Sequence, residues 1–329
     1  MIRETARRQC AETDRIRFYD FHPKSADFFG EVIQGLSQRP RAIAPKFFYD
    51  ERGSQLFEAI CQTPEYYLTR TEVDILTRHI EEISSFMQPD CLLVEPGSGN
   101  SRKVRLLIEA NRPRAYVPVD ISRDFLLWAA KRVAAEYPAL EVHAICADYT
   151  APFMLPATLP DTHKVAFFPG SSIGNFTPTE AVAFLSNLAR LVGSGGGVLI
   201  GVDIKKDAAL LNAAYNDAQG FTAAFNLNLL TRINRKLGSD FEPTGFRHHA
   251  FYDAAAGRIE MRIVSNAAQV VTIAGRQFEF KEHESITTEY SYKYTISEFQ
   301  ALSVRAGFLP VKAWTDPDGL FGVHYLEAN

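Results

Sequence analysis

The chain has 329 residues, of which 46% are hydrophobic, 12% aromatic and 22% charged; that is an ordinary globular composition and excludes a disordered, fibrous or low-complexity protein. Its 35 basic and 39 acidic residues leave a net charge of −4 with no long basic run, so nothing favours a nucleic-acid partner. The longest apolar runs, CLLV (91–94) and VLIGV (198–202), are far too short to span a bilayer, and the charged start MIRETARRQCAETDRIR lacks a signal-peptide core, so a cytoplasmic protein is expected. Cys10, Cys61, Cys91 and Cys146 are spaced too widely for a disulfide framework or a zinc site, and no metal is implied. The length suits about two domains at ~100–200 residues each. No long apolar periodic surface calls for self-association, so a monomer is expected. The 24 Phe and 13 Tyr against two Trp are the one unusual count.

In chain order, residues 1–20 read as a flexible, polar N-terminus. Residues 25–90 read as helical, with breaks at PKFFYDERG (45–53) and TPEYYLTRTE (63–72), and with Thr69 or Thr71 capping a helix that runs to residue 87. From residue 91 short apolar strands alternate with helices. Strands are expected at CLLVE, at AYVPVD (115–120), at EVHAICADY (141–149), at KVAFFPG (164–170) and at GVLIGVDI (197–204), with Ser122 capping the helix after the second. Apolar strands alternating with helices imply a parallel sheet covered on both faces. After residue 205 the alternation stops. Two helices follow (207–220 and 221–238), each expected to close on a glycine, Gly220 and Gly238. Strand-like stretches HHAFYD, GRIEMRIVS, QVVTIAG and RQFEF come next, the first two joined by a turn at 254–257. A helix at 297–308 and two strands joined by PDG (317–319) then complete the first sheet. The pattern is an α/β run interrupted by an insertion at about 206–293.

The turn EPGSGNS (95–101) joins the first strand of this run to its helix, where glycines allow a ligand close to the backbone. A dinucleotide fingerprint, G-x-G-x-x-G, would need glycine where Arg102 stands. Asp120 ends the next strand and can accept from both hydroxyls of a ribose; Asp148 ends the one after and can meet an adenine amino group. Each signal alone is also what a structural turn or a helix cap would give. Together they favour a nucleoside-containing cofactor, and the missing third glycine with the terminal strand–turn–strand favours S-adenosylmethionine over a dinucleotide. No Ser-His-Asp order, H-E-x-x-H or P-loop is present.

The blocks KFFYDERGSQLF (46–57), TPEYYLTRTE (63–72), VEPGSGNSRK (94–103), FPGSSIGNFTP (168–178), AYNDAQGFTAAFNLNLL (214–230) and ITTEYSYKY (286–294) occur in this order. In them the chain resembles the histidine-specific, S-adenosylmethionine-dependent methyltransferase family from about residue 25 to its end. The resemblance implies a Rossmann-like class I methyltransferase core (a mostly parallel, seven-stranded sheet with a C-terminal antiparallel hairpin) over 71–205 and 294–329. It also implies a discontinuous α+β domain for the amino acid over 21–70 and 206–293. The implied activity is trimethylation of the α-amine of L-histidine to hercynine, the first step of ergothioneine biosynthesis. Another aromatic acceptor, or a non-catalytic amino-acid-binding module, is the alternative.

Carried over position by position, the resemblance implies donor contacts at Gly97, Ser98, Gly99, Lys103, Asp120, Asp148 and Tyr149. Pro96 stands before the turn where the family commonly has an apolar residue. Tyr66, Asn175 and Tyr215 are implied acceptor contacts, Tyr49 and Asn175 being those nearest the chemistry. Glu289 and Ser291, with Tyr290 between them, are implied to address the imidazole, and Met261 to complete the wall. A carboxylate that accepts from one ring N–H and a hydroxyl for the other nitrogen suit an imidazole. Taken alone, Glu289 reads as a strand residue facing water, Lys103 as a solvated helix residue and Met261 as core.

Overall fold

The computed structural model describes residues 16–21, 28–99 and 102–329. A strand β1 (Ile16–Asp20) precedes α1 (Phe28–Ser37), a two-residue strand β2 (Arg41–Ala42), and the helices α2 (Glu51–Ile60), α3 (Leu68–Arg78) and α4 (Ile80–Met87). Then come β3 (Leu92–Pro96), α5 (Val104–Asn111), β4 (Ala115–Asp120), α6 (Arg123–Glu136), β5 (Glu141–Cys146), β6 (Lys164–Phe168), α7 (Pro178–Val192) and β7 (Gly197–Asp203). The insertion holds α8 (Ala208–Ala214), α9 (Phe221–Leu237) and five strands: β8 (Phe246–Asp253), β9 (Arg258–Ser265), β10 (Gln269–Ile273), β11 (Arg276–Phe280) and β12 (Ser285–Tyr292). The chain ends with α10 (Ile296–Arg305), β13 (Phe308–Thr315) and β14 (Phe321–Ala328).

The main sheet has the order β1-β5-β4-β3-β6-β7-β14-β13, parallel from β1 to β7 and antiparallel at β14 and β13. Its central strands are apolar and fully covered, as a sheet with helices on both faces requires; Leu92, Val94, Val117 and Val119 are wholly buried. Each such side chain contributes roughly 1.5–3 kcal/mol over an exposed one. The chain winds outward from β3 through β4 to β5, then returns to the other side of β3 for β6 and β7. The direction of winding reverses between β3 and β6, and the crevice at their carboxyl ends is where ligands of such sheets bind.

A second sheet, β2-β12-β9-β8, is built almost wholly by the insertion, and β10 and β11 form a separate hairpin. Helix α9 packs on β8 and β9, and α2 packs on α9, so the N-terminal helices join the insertion. The turn Ser172–Asn175 that follows β6 lies against β12 and brings the insertion to the mouth of the crevice. Gly174 permits this approach: a Cβ there would lie 2.7 Å from the Tyr292 carbonyl oxygen.

Several expectations need correction. Residues 16–20 pair with β5 as an edge strand, so the sheet has eight strands rather than seven and the stretch is not a flexible end; residues 1–15 lie outside the described residues. The segment IRFYD was too short and too mixed in polarity to read as a strand. The helix expected from Thr69 or Thr71 begins at Leu68 with no side-chain cap and breaks at His79 into α3 and α4. Helix α8 stops at Ala214, six residues short, and Gly220, with φ of 76°, precedes α9 instead of closing α8. Gly238 does close α9. Ser122 holds the N-cap position of α6 without a side-chain bond; Asp120 Oδ1 accepts from its backbone N–H at 2.8 Å instead.

Candidate active site

On the sheet edge, Gly97 turns the chain after β3 with φ of 68°, and its N–H bonds the Val119 carbonyl at 2.7 Å. A Cβ on Gly97 would sit 3.2 Å from the Tyr149 ring, so the turn and that ring form one narrow slot. Ser98 is buried within the turn and Gly99 has φ of 49°. Asp120 stands at the tip of β4, where burial raises its pKa against the backbone N–H groups that lower it. Asp148 follows β5 and accepts from the Thr150 N–H at 2.9 Å and from its hydroxyl at 2.6 Å. A glycine turn, an aromatic slot and acids at two successive strand ends fit a nucleoside-bearing cofactor. Lys103 holds the N-cap position of α5 without a side-chain bond to the helix, and it is engaged otherwise than as a free donor contact: its ammonium pairs with Glu72. Both Glu72 oxygens also accept from the Gly170 N–H at 2.9 Å, beside β6.

The acceptor side is an aromatic cleft next to this edge, with a volume of about 70 Å³. It gathers Tyr49, Tyr66, Asn175, Tyr215, Met261, Glu289 and Ser291 from segments spread between residues 49 and 291. Tyr49 stands at its mouth, 46% exposed, with its ring 5.8 Å from Phe57 and 5.7 Å from Phe225. Tyr66 and Tyr215 are buried deeper, ring centroids 6.4 Å apart. Burial raises the pKa of both phenols, and the Glu289 carboxylate adds to this, so they remain neutral hydroxyls.

Met261 and Glu289 face each other across β9 and β12, which puts them on one face of the second sheet. A register shift between Thr287 and Glu289 re-aims the strand there. Burial lifts the Glu289 pKa to about 7, with Lys293 pulling the other way. Tyr290 is the exception among the expected contacts. Strand alternation turns it away from the aromatic cleft, into a neighbouring groove beside Thr288, with the Arg258 guanidinium 3.8 Å from its ring centroid.

Beneath Ser291 lies a buried polar network that the sequence reading missed. Lys293 and Asp203 pair at 2.6 Å with neither side chain exposed. Lys293 also donates to Tyr215 Oη at 3.0 Å and to Ser291 Oγ at 2.9 Å, and Tyr215 donates to Ser291 at 2.9 Å. The phenol of Tyr215 and the hydroxyl of Ser291 therefore lie side by side in the lining of the cleft. Burial would lower the Lys293 pKa, but Asp203 overrides it and holds the ammonium above its ordinary value. Asp203 also pairs with Lys206 at 2.5 Å and accepts from Tyr67 at 2.8 Å. Burial takes Lys206 down to about 8 despite that carboxylate. Glu289, Ser291 and Lys293 recur at period two along β12 and just past its end, which was the available signal for Lys293 but not for Asp203 or Lys206. Among the described residues no group of three or more His, Cys, Asp or Glu could hold a metal ion, and no helix is long and apolar enough to cross a membrane.

Residues 28–328 match the family model described as histidine-specific methyltransferase, SAM-dependent. The chain is 39% identical over 300 residues to histidine N-alpha-methyltransferase of Mycolicibacterium smegmatis, covering 89% of this chain and 92% of that protein. It is 33% identical to ergothioneine biosynthesis protein 1 of Neurospora crassa, covering 88% of this chain and 33% of that longer protein. Among solved structures, an S-adenosylmethionine-dependent methyltransferase from Clostridium acetobutylicum aligns with a TM-score of 0.45 at 9% identity, over 84% of this chain and 96% of that one.

Proposed function

Since the chain belongs to the histidine-specific, S-adenosylmethionine-dependent methyltransferase family, we propose that it methylates the α-amine of L-histidine three times, yielding hercynine as the first step towards ergothioneine. S-adenosylmethionine supplies a sulfonium methyl group for in-line displacement by a neutral amine. Gly97, Ser98, Gly99, Asp120, Asp148 and Tyr149 hold it along the sheet edge, and Lys103 steadies that edge through Glu72. The methyltransferase core is 71–205 with 294–329, and the acceptor domain is 21–70 with 206–293.

The observation that carries the acceptor assignment is the placement of Glu289 and Ser291 on one face of β12, lining a cleft walled by Tyr49, Tyr66 and Tyr215. A carboxylate and a hydroxyl side by side complement the two nitrogens of an imidazole, whereas an indole, with one N–H, would leave one of them without a partner and a phenyl ring would leave both. Asn175, which offers both a donor and an acceptor, suits the α-amino and carboxylate end. Tyr66 and Tyr215, as neutral phenols, orient the amine and do not act as its base. The proton leaves to solvent at the mouth, beside Tyr49. Bringing donor and amine into line is the main task, because the displacement itself needs positioning more than acid–base chemistry.

The test is a panel of amino acids incubated with labelled S-adenosylmethionine. Histidine is expected to be methylated with kcat/KM at least ~100-fold above tryptophan, tyrosine and phenylalanine, the scale expected when a site built for hydrogen bonds receives a ligand without them. Preference for another amino acid would overturn the assignment.

A further inference from the structure

Lys293 does not line the open cleft, yet its ammonium lies against three oxygens: it pairs with Asp203 Oδ2 at 2.6 Å and donates to Tyr215 Oη at 3.0 Å and to Ser291 Oγ at 2.9 Å. An ammonium can only donate, so both hydroxyl oxygens must accept from it. Tyr215 then donates its own proton to Ser291 at 2.9 Å. The Ser291 oxygen thus accepts twice and both lone pairs are filled. Its remaining capacity is its own O–H, on the side that lines the cleft.

We propose that Lys293 is a positioning residue that makes Ser291 an obligate hydrogen-bond donor to the acceptor ring. With Glu289 as the acceptor on the same face, the site takes one form of the ring: neutral imidazole, with its bare nitrogen at Ser291 and its N–H at Glu289. An imidazolium presents two N–H groups, and the second would meet an oxygen with no free lone pair. An indole presents one N–H and leaves the Ser291 proton unpaired. The inference rests on the histidine reading above and adds to it the form of the ring that binds. The pair Asp203 and Lys206 anchors the arrangement from β7, so Lys293 is held in place without help from the ligand.

Two measurements test this. In the first, ring-¹⁵N-labelled histidine is bound to the wild-type protein with S-adenosylhomocysteine, and the nitrogen chemical shifts are read at neutral pH. One protonated and one bare ring nitrogen are expected, with the bare-nitrogen resonance shifting in Ser291→Ala. Two protonated nitrogens, or a bare-nitrogen resonance indifferent to Ser291→Ala, would overturn the proposal. In the second, Lys293→Met should raise the KM for histidine about tenfold, the effect of one charge-assisted hydrogen bond, and far more than it lowers kcat. Because Lys293 acts through Ser291, adding Lys293→Met to Ser291→Ala should cost nothing further. Additive losses, or a fall in kcat alone, would contradict it. If Lys293→Met does not fold, the nitrogen shifts of the wild-type complex decide. A protein that neither binds nor methylates histidine would instead refute the functional reading, a separate outcome.

Discussion

Lys103 and Glu72 form an ion pair that links the two halves of the crevice: Lys103 stands at the start of α5 on the donor side, while Glu72, only 1% exposed on α3, also accepts from the Gly170 N–H beside the acceptor cleft. Removing one member of a buried pair leaves the other uncompensated, at a cost on the order of 3 kcal/mol. Glu72→Ala is therefore expected to lower the melting temperature by several degrees and to weaken S-adenosylhomocysteine binding in calorimetry. Unchanged affinity in a folded Glu72→Ala protein would mean that Lys103 does not act through Glu72.

The Glu289 carboxyl titrates near 7 in the ligand-free cleft because burial penalises its charge. Ionised, it accepts from an imidazole N–H more strongly than a neutral carboxyl does, so histidine affinity should rise as pH increases through about 7. Glu289→Gln should leave only the limb set by deprotonation of the substrate ring itself, near its ordinary value of about 6.5, and lower the plateau of the kcat/KM profile on the order of 10–100-fold. The stability sign is opposite. A raised carboxyl pKa contributes stability that is fully present below the ordinary value of 4.5 and lost as pH rises through about 7, so ligand-free protein should melt at higher temperature relative to Glu289→Gln when pH falls within that window.

How far the sequence carried these conclusions differs from one residue to the next. The strands from Leu92 to Asp203 were legible because fully covered strands read as apolar runs between helices, and the turn at Gly97 because a backbone at φ of 68° favours glycine. Glu289 was legible only through the family's motif, since nothing local distinguishes a carboxylate facing a cleft from one facing water. Glu72 sits among charged helix residues, and its burial depends on contact with residue 170. Asp203, Lys206 and Lys293 meet only when β7 and the end of β12 are brought together, which no periodicity reports. Tyr290 was misplaced because its motif neighbours lie on the opposite face of their strand.

His324 on β14 is buried against Phe299, ring centroids 4.8 Å apart, and neither ring nitrogen has a hydrogen-bond partner among the described residues. Burial drives its pKa down to about 4 from 6.5. A depressed histidine favours the folded state at pH above 6.5, and that contribution is lost as pH falls towards 4; at pH 5 the loss is about 2 kcal/mol. His324→Leu should flatten the decline in melting temperature between pH 7 and pH 5. An identical decline in both proteins would show that His324 does not titrate in this way.

Gly97 combines a left-handed backbone with a 3.2 Å approach to Tyr149. Gly97→Ala adds a strain of roughly 1–2 kcal/mol and pushes the Tyr149 ring out of its slot. The expected result is a loss of roughly tenfold or more in S-adenosylhomocysteine affinity, equivalent to about 1.4 kcal/mol, with the fold retained by circular dichroism. Wild-type affinity would remove this turn from the donor site.

The most direct measurement is the product itself. Histidine incubated with excess S-adenosylmethionine and the purified protein should be converted to the species carrying three methyl groups on the α-nitrogen, seen by mass spectrometry and NMR, with three equivalents of S-adenosylhomocysteine released per histidine. Methylation on the ring, arrest after one methyl group, or no transfer to histidine under conditions where another amino acid is modified would contradict the account.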